Sequence, residues 1–168
     1  MKILSNRIHR ILKEFVLTEN NWKYIKNNKY ELAVLPWGAI EPHNYHLPYG
    51  TDYYQSKAIS ELASQKAWSK GAKVMVLPAM PFGVQNPGQI DMPFCLHTRP
   101  STQKLILEDI IISLNRQGIK KILIINGHGG NDFKSIIREL VQEFPSMFIG
   151  VTDWFRILDN EKYFDEVG

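Results

Sequence analysis

The chain has one cysteine, Cys95, among its 168 residues. No intrachain disulfide is possible, so nothing in the sequence calls for an oxidising compartment, and a cytoplasmic location is expected. Long hydrophobic runs are also missing. The first ten residues, Met1 to Arg10, hold no extended apolar stretch, which argues against a signal peptide or a membrane span. Charge of one sign is scarce: net charge is +3, and the basic residues are scattered. Lys70, Lys73, Lys120 and Lys121 flank predicted strands and read as solvated edges rather than a nucleic-acid groove. No internal repeat or low-complexity tract is present. What remains is an ordinary globular composition, 44% hydrophobic and 22% charged, sufficient for a single domain spanning residues 1–168.

Periodicity predicts strands alternating with helices. Leu4, Ile8, Ile11, Leu12, Phe15 and Val16 lie at helical spacing, and Thr18 is placed to cap a second short helix through Lys26. Strands are predicted over 30–36, 73–78, 121–126 and 146–152, the first two stopped by Pro36 and Pro78. Helices are predicted from Asp52 to about Lys70, with Ala58, Ile59, Leu62 and Ala63 on the apolar face, from a Ser101 cap through Gln117, and from an Asn131 or Asp132 cap to about Phe144. Residues 79–100 carry Pro81, Pro87, Pro93 and Pro100 and read as a long loop; loops of that length usually serve function, disorder or a subunit contact. The alternation implies an α/β fold with a mainly parallel sheet covered by helices on both faces.

Two segments carry the chemistry. Glu41-Pro-His43-Asn-Tyr-His46-Leu-Pro-Tyr-Gly-Thr-Asp52 follows the first strand, and Asn126-Gly-His128-Gly129-Gly130-Asn131 follows the third. Ligands of open α/β sheets bind beyond the carboxyl ends of strands, where both segments lie. Glu41 and His43 stand two apart, so in an extended loop both reach one centre. Asp52 opens a helix whose dipole favours its ionised form, and its two oxygens are able to bridge two cations. His128 sits in a glycine turn that lets backbone approach a ligand, with the Gly129, Gly130 and Asn131 amides available to an oxyanion. Mixed imidazole and carboxylate donors suit Zn2+, Mn2+ or Fe2+. Two such ions roughly 3.5–4 Å apart turn a bound water into a nucleophile and polarise a carbonyl, which is apparatus for amide hydrolysis. His46 either orients Asp52 or Glu41 from behind or packs in its loop. Cys95 and His97 form a formal thiol–imidazole pair with no third group, so an inert cysteine is the expectation. His9 reads as a surface residue.

At these residues the chain resembles the creatininase (creatinine amidohydrolase) family. The resemblance rests on Leu35-Pro-Trp-Gly38, Glu41-Pro-His43, His46-Leu-Pro, Gly50-Thr-Asp52, Leu77-Pro78, Phe82-Gly83, Asn126-Gly-His-Gly-Gly-Asn131 and Val151-Thr-Asp-Trp154-Phe. It implies a three-layer α/β/α fold, a two-metal site with Glu41, His43, Asp52 and His128 as ligands and Asp52 as the bridge, a small-molecule amide substrate, cyclic or linear, and a homo-oligomer, commonly a hexamer. Glu41, Asp52 and His128 are the residues expected at the reaction centre. Creatininase proper has a glutamate two residues after the strand-end histidine. Gly130 occupies that place here, as in a Gly-His-Gly-Gly-Asn branch, and creatinine itself is disfavoured as substrate. That branch continues with a His-Ala-Gly-Glu-like motif supplying an acid–base histidine and another metal-ligating glutamate, whereas this sequence stops at Asp165-Glu-Val-Gly168. The chain is therefore expected to be incomplete at its C-terminus or a short form. The first functional reading is a metal-dependent amidohydrolase, and the alternative is a non-catalytic homologue serving as a binding or assembly subunit. A phosphate-binding domain using Gly127–Asn131 as an anion cradle ranks last, because Glu41 and Asp52 repel phosphate unless a cation intervenes.

Overall fold

A computed structural model describes residues 13–157 and residue 162. Four strands, β1 (Leu32–Trp37), β2 (Val74–Val76), β3 (Lys121–Asn126) and β4 (Phe148–Asp153), form one sheet in the order β2-β1-β3-β4, every pairing parallel. A short helix α1 (Trp22–Ile25) precedes β1, and α2 (Thr51–Ser69), α3 (Pro100–Arg116) and α4 (Phe133–Glu143) are the crossovers. The layers follow from strand alternation. Ala33, Leu35 and Trp37 of β1 and Ile122 and Ile124 of β3 point to the face covered by Leu107, Ile111 and Leu114 of α3 and Phe133, Ile136 and Leu140 of α4. Each buried leucine, isoleucine or phenylalanine among them contributes about 1.5–3 kcal/mol. Val34, Val74, Val76 and Ile125 face the other way, with Phe15, Val16, Ile59 and Trp68. The result is the expected three-layer α/β/α arrangement.

Several local expectations need correction. The predicted first helix lies, up to Leu12, outside the described residues, as does His9. Val16 at its end bridges to Val76 instead of continuing a helix. Thr18 caps nothing: a 3-10 turn covers Leu17–Glu19, and α1 is capped by Asn21, whose side chain accepts from Tyr24 N at 3.1 Å. Ser101 is not a cap either, because Pro100 occupies the first turn of α3 and Arg99 precedes it. Asp132, not Asn131, caps α4.

Pro36 does not stop β1. Its missing donor faces the side on which β2 has already ended, and its carbonyl accepts from Met80 N at 2.9 Å.

The largest correction concerns α2. Ala58, Leu62 and Ala63 are exposed; the buried stripe is Ser56, Ser60 and Ser64. Small side chains let this helix approach the sheet closely, and two glycines extend that approach to its first turn. A Cβ on Gly38 would lie 2.5 Å from Tyr53 N, and one on Gly127 would lie 2.9 Å from the Asp52 carbonyl oxygen. The start of α2 is thus wedged between the ends of β1 and β3. There the chain also reverses direction across the sheet: it leaves β1 for β2 on one side and returns through α3 to β3 on the other. Such switch points are where parallel sheets open a crevice.

Candidate metal centre

The crevice collects its groups from three places. The loop after β1 folds back through Glu41 N to the Tyr49 carbonyl at 3.1 Å and a bridge between His43 and Leu47. Asn44 makes the tip in a left-handed conformation, φ 57°, its Oδ1 accepting from Tyr45 N. This turn carries Glu41 and His43 back over the start of α2, where Asp52 sits in the first turn. His128 arrives from the end of β3.

Asp52 joins the two imidazoles. Its Oδ1 lies 3.0 Å from His43 Nε2 and its Oδ2 lies 2.9 Å from His128 Nδ1. Glu41 Oε1 is 3.0 Å from His128 Nδ1 and 3.9 Å from His43 Nε2. Each ring spends its other nitrogen on backbone: His43 Nδ1 is 3.1 Å from the Glu41 carbonyl and His128 Nε2 is 2.9 Å from the Val84 carbonyl. A neutral ring that donates to that carbonyl turns a lone pair toward the Asp52 carboxylate. The contact is favourable only with a proton or another cation between them. At His128, without a metal, the proton serves. Burial disfavours the charged form of His128, but hydrogen bonds to Asp52 and Glu41, the Val84 carbonyl and the Glu41 charge outweigh it, and the pKa is pushed up to about 10.

Glu41, Asp52 and His128 are all buried, and one donor atom from each lies within 4.8 Å of the others. This is the set that can hold a metal ion. The fit has an independent sign: Glu41 Oε2 is buried and has no hydrogen-bond partner. A buried anionic oxygen left unpaired is costly, and a cation is what it lacks. His43 stands outside the tight trio, at the Oδ1 side of Asp52, and is partly exposed.

Other expected residues are placed as follows. His46 is exposed. Gly129 has open space around it, whereas a Cβ on Gly130 would meet the Val84 oxygen at 2.1 Å. Asn131 is buried, and its backbone N–H donates to the His128 carbonyl at 3.3 Å. Cys95 and His97 do not pair as a thiol and its base. His97 Nδ1 accepts from Gln85 N at 3.1 Å, and burial, with the Glu41 charge, pushes the Cys95 thiol up.

Sequence reasoning missed Val84, whose carbonyl orients His128, and the buried amides behind it, Gln103 and Asn126. Gln103 had a signal: it falls on the stripe of α3 that includes Leu107, Ile111 and Leu114, a polar residue where apolar ones recur. Val84 had none, because any residue supplies a carbonyl. The long loop that carries it is tied down by Leu96 N to the Ile40 carbonyl at 3.0 Å, Thr98 N to the Gly83 carbonyl at 2.8 Å and Tyr49 Oη to the Pro93 carbonyl at 3.0 Å.

Residues 18–167 match the Creatininase family, described as creatinine amidohydrolase. The chain belongs to the creatininase family. A solved candidate creatinine amidohydrolase from Bacteroides fragilis is 46% identical, with a TM-score of 0.84 over 90% of this chain and 60% of that one. A mutant creatininase complexed with creatine superposes with a TM-score of 0.77 at 20% identity, over 88% of this chain and 60% of that one, a likeness of fold. Among curated relatives, a 2-amino-5-formylamino-6-ribosylaminopyrimidin-4(3H)-one 5'-monophosphate deformylase of Methanococcus voltae is 33% identical over 140 residues, 80% of this chain and 50% of that protein. The creatinine amidohydrolase of Pseudomonas putida is 24% identical over 139 residues, 74% of this chain and 52% of that protein. This chain therefore spans about half the length of the curated relatives it matches. No helix among its described residues is long and apolar enough to cross a membrane.

Proposed function

We propose that this creatininase-family chain is a metal-dependent amidohydrolase that hydrolyses a small-molecule amide, cyclic or linear, with Glu41, His43, Asp52 and His128 holding two divalent ions. The observation that carries the reading is the position of Asp52: each of its oxygens faces a different imidazole nitrogen, with Glu41 closing one side. His128, Glu41 and one Asp52 oxygen define one cation position; His43 and the other Asp52 oxygen define the second. Bound there, Zn2+, Mn2+ or Fe2+ supplies an acidified water and a Lewis acid for the amide carbonyl. Asp52 stands in the first turn of α2, at the positive end of the helix dipole. The Gly129 and Gly130 amides of the histidine turn are the proposed donors for the oxygen that gains charge as water adds. The C–N bond then breaks to give a carboxylic acid and an amine.

The Gly127–Asn131 turn supports membership of a Gly-His-Gly-Gly-Asn branch, and Gly130 counts against creatinine as the substrate. Resemblance to the deformylases supports a formamide as one form of the linear amide. The family resemblance also supports a homo-oligomer, a hexamer in the first instance, and the single cysteine supports a cytoplasmic setting. The curated relatives extend well beyond the length matched here, so the assay uses the protein as its cell makes it.

The test is to strip the protein with a chelator, reload it separately with Zn2+ and Mn2+, and follow release of amine from a panel of formamides, cyclic amides and creatinine. Turnover restored by metal and abolished in Asp52→Asn is expected. Equal turnover with and without metal overturns the reading, and tight metal binding with no turnover on any amide favours a non-catalytic binding or assembly subunit.

A further inference from the structure

Gln103 is fully buried on α3, and its side-chain hydrogen bonds go to none of the four proposed ligands. Its Nε2 donates twice, to the Phe82 carbonyl at 3.1 Å and to Asn131 Oδ1 at 2.8 Å. Its Oε1 is buried and has no hydrogen-bond partner. As packing, the residue is a poor choice. It falls on the stripe of Leu107, Ile111 and Leu114, and a leucine of similar volume would leave no orphaned oxygen. What Gln103 contributes lies in its two donated bonds.

Those bonds lead to His128. Asn131 Oδ1 receives a second donor, Val84 N, at 3.0 Å. Two N–H groups converging on one atom fix which end of the Asn131 amide is oxygen, and its Nδ2 then donates to Asn126 Oδ1 at 3.0 Å. The Asn126 side chain in turn accepts from His128 N at 3.2 Å and donates to the His128 carbonyl at 3.0 Å. On the loop side, Phe82 is held through its carbonyl by Gln103 and by Trp37 Nε1 at 2.7 Å. The segment Phe82–Val84 is therefore fastened at both ends by groups that include Gln103. Its Val84 carbonyl accepts from His128 Nε2, and Gly130 leaves the room this contact needs.

We propose that Gln103 is a positioning residue for His128: through Asn131 and the Val84 peptide it holds the imidazole with hydrogen on Nε2 and the lone pair of Nδ1 directed at the cation position between Glu41 and Asp52. The inference rests on the metal reading above and adds its supporting frame. Groups that orient a ligating histidine through its other nitrogen typically change metal affinity about 10–100-fold when removed. With Gln103 replaced by leucine, Asn131 keeps one of its two converging donors, Val84 N, the Phe82–Val84 segment loses its bond from Gln103 to the Phe82 carbonyl, and the Val84 carbonyl is held less firmly.

The experiment titrates Zn2+ into metal-free wild type, Gln103→Leu, the isosteric Gln103→Glu and Leu114→Ala, with thermal unfolding recorded for each. Leu114→Ala opens a cavity in the same helix but breaks no link to the histidine. Histidine-selective 15N spectra of the zinc-loaded proteins report which ring nitrogen carries hydrogen and how fast that hydrogen exchanges. Both Gln103 variants are expected to bind Zn2+ about 10–100-fold more weakly and to lose the slowly exchanging Nε2 hydrogen of His128. Leu114→Ala is expected to unfold at lower temperature with zinc affinity kept. If Gln103→Leu does not fold, Gln103→Glu decides. Wild-type zinc affinity together with a retained Nε2 signal in the Gln103 variants overturns the inference alone. Weakened binding in Leu114→Ala that matches the Gln103 variants also overturns it, because loss of stability then explains both. Failure of the wild type to bind Zn2+ overturns the metal reading and the inference with it.

Discussion

His128 Nδ1 lies 2.9 Å from Asp52 Oδ2, although 76 residues separate them along the chain. The contact exists because the first turn of α2 is wedged against Gly38 and Gly127, so that a carboxylate on a helix meets an imidazole at a strand end. It has consequences that solution measurements read directly.

Zinc binding is expected to release protons. His128, with its pKa pushed up to about 10, is cationic at neutral pH without metal, and a ligating imidazole must be neutral. Calorimetric titration in buffers of different ionisation enthalpy is expected to show net proton release at about pH 7.5, and less of it in His128→Asn. An observed enthalpy independent of buffer counts against this picture.

Stability of the metal-free protein falls on the alkaline side. The folded pKa of His128 is raised above the unfolded value near 6.5, so its contribution is complete below that value and is lost as pH rises through about 10. Urea midpoints at about pH 6 and about pH 10 should differ, with the higher midpoint at the lower pH, and the difference should shrink in His128→Asn.

Gly38→Ala is expected to destabilise by about 1–3 kcal/mol, since the added methyl collides with the backbone of Asp52 and Tyr53 and neither can move without shifting α2. Gly129→Ala, where the added methyl meets nothing within 4 Å, should cost much less. Urea unfolding of the two variants side by side gives the comparison; equal losses would show that the wedge at Gly38 is not tight.

Ser60→Ala should be neutral or stabilising by up to about 1 kcal/mol. Ser60 is fully buried, and its hydroxyl has no hydrogen-bond partner, so removing the oxygen removes a desolvation cost without opening a sizeable cavity. Ser60→Leu should instead be strongly destabilising, because the serine stripe is what allows α2 to approach the sheet. A stable Ser60→Leu protein would contradict the close packing described for this helix.

Strand and helix order, the parallel sheet and the placement of both chemical segments at strand ends were legible because they depend on local patterns: apolar runs of strand length, helical spacing, and prolines and glycines at boundaries. Glu41, Asp52 and His128 were legible as candidates for the same reason, since their residue types and strand-end positions are properties of the chain itself. The buried face of α2 was not. Ala58, Ile59, Leu62 and Ala63 look like a core stripe, yet only Ile59 of these packs on the core; close approach to the sheet selected the serines, and hydrophobicity does not encode how near two backbones come. Thr18 and Ser101 carry capping side chains, but α1 starts after its Asn21 cap and α3 starts a residue earlier, at Pro100, so neither serves as a cap.

The sequence by itself determined which groups were available for metal chemistry and at which end of the sheet they stood. Only the tertiary structure decided that Asp52 is shared between two imidazoles, that Glu41 keeps one buried oxygen unpaired, and that a backbone carbonyl at Val84, set by the amides of Asn131 and Gln103, turns the His128 ring. Hydrogen-bond direction depends on positions within a few tenths of an ångström, and those arise from packing between segments distant in the chain, to which no local pattern refers.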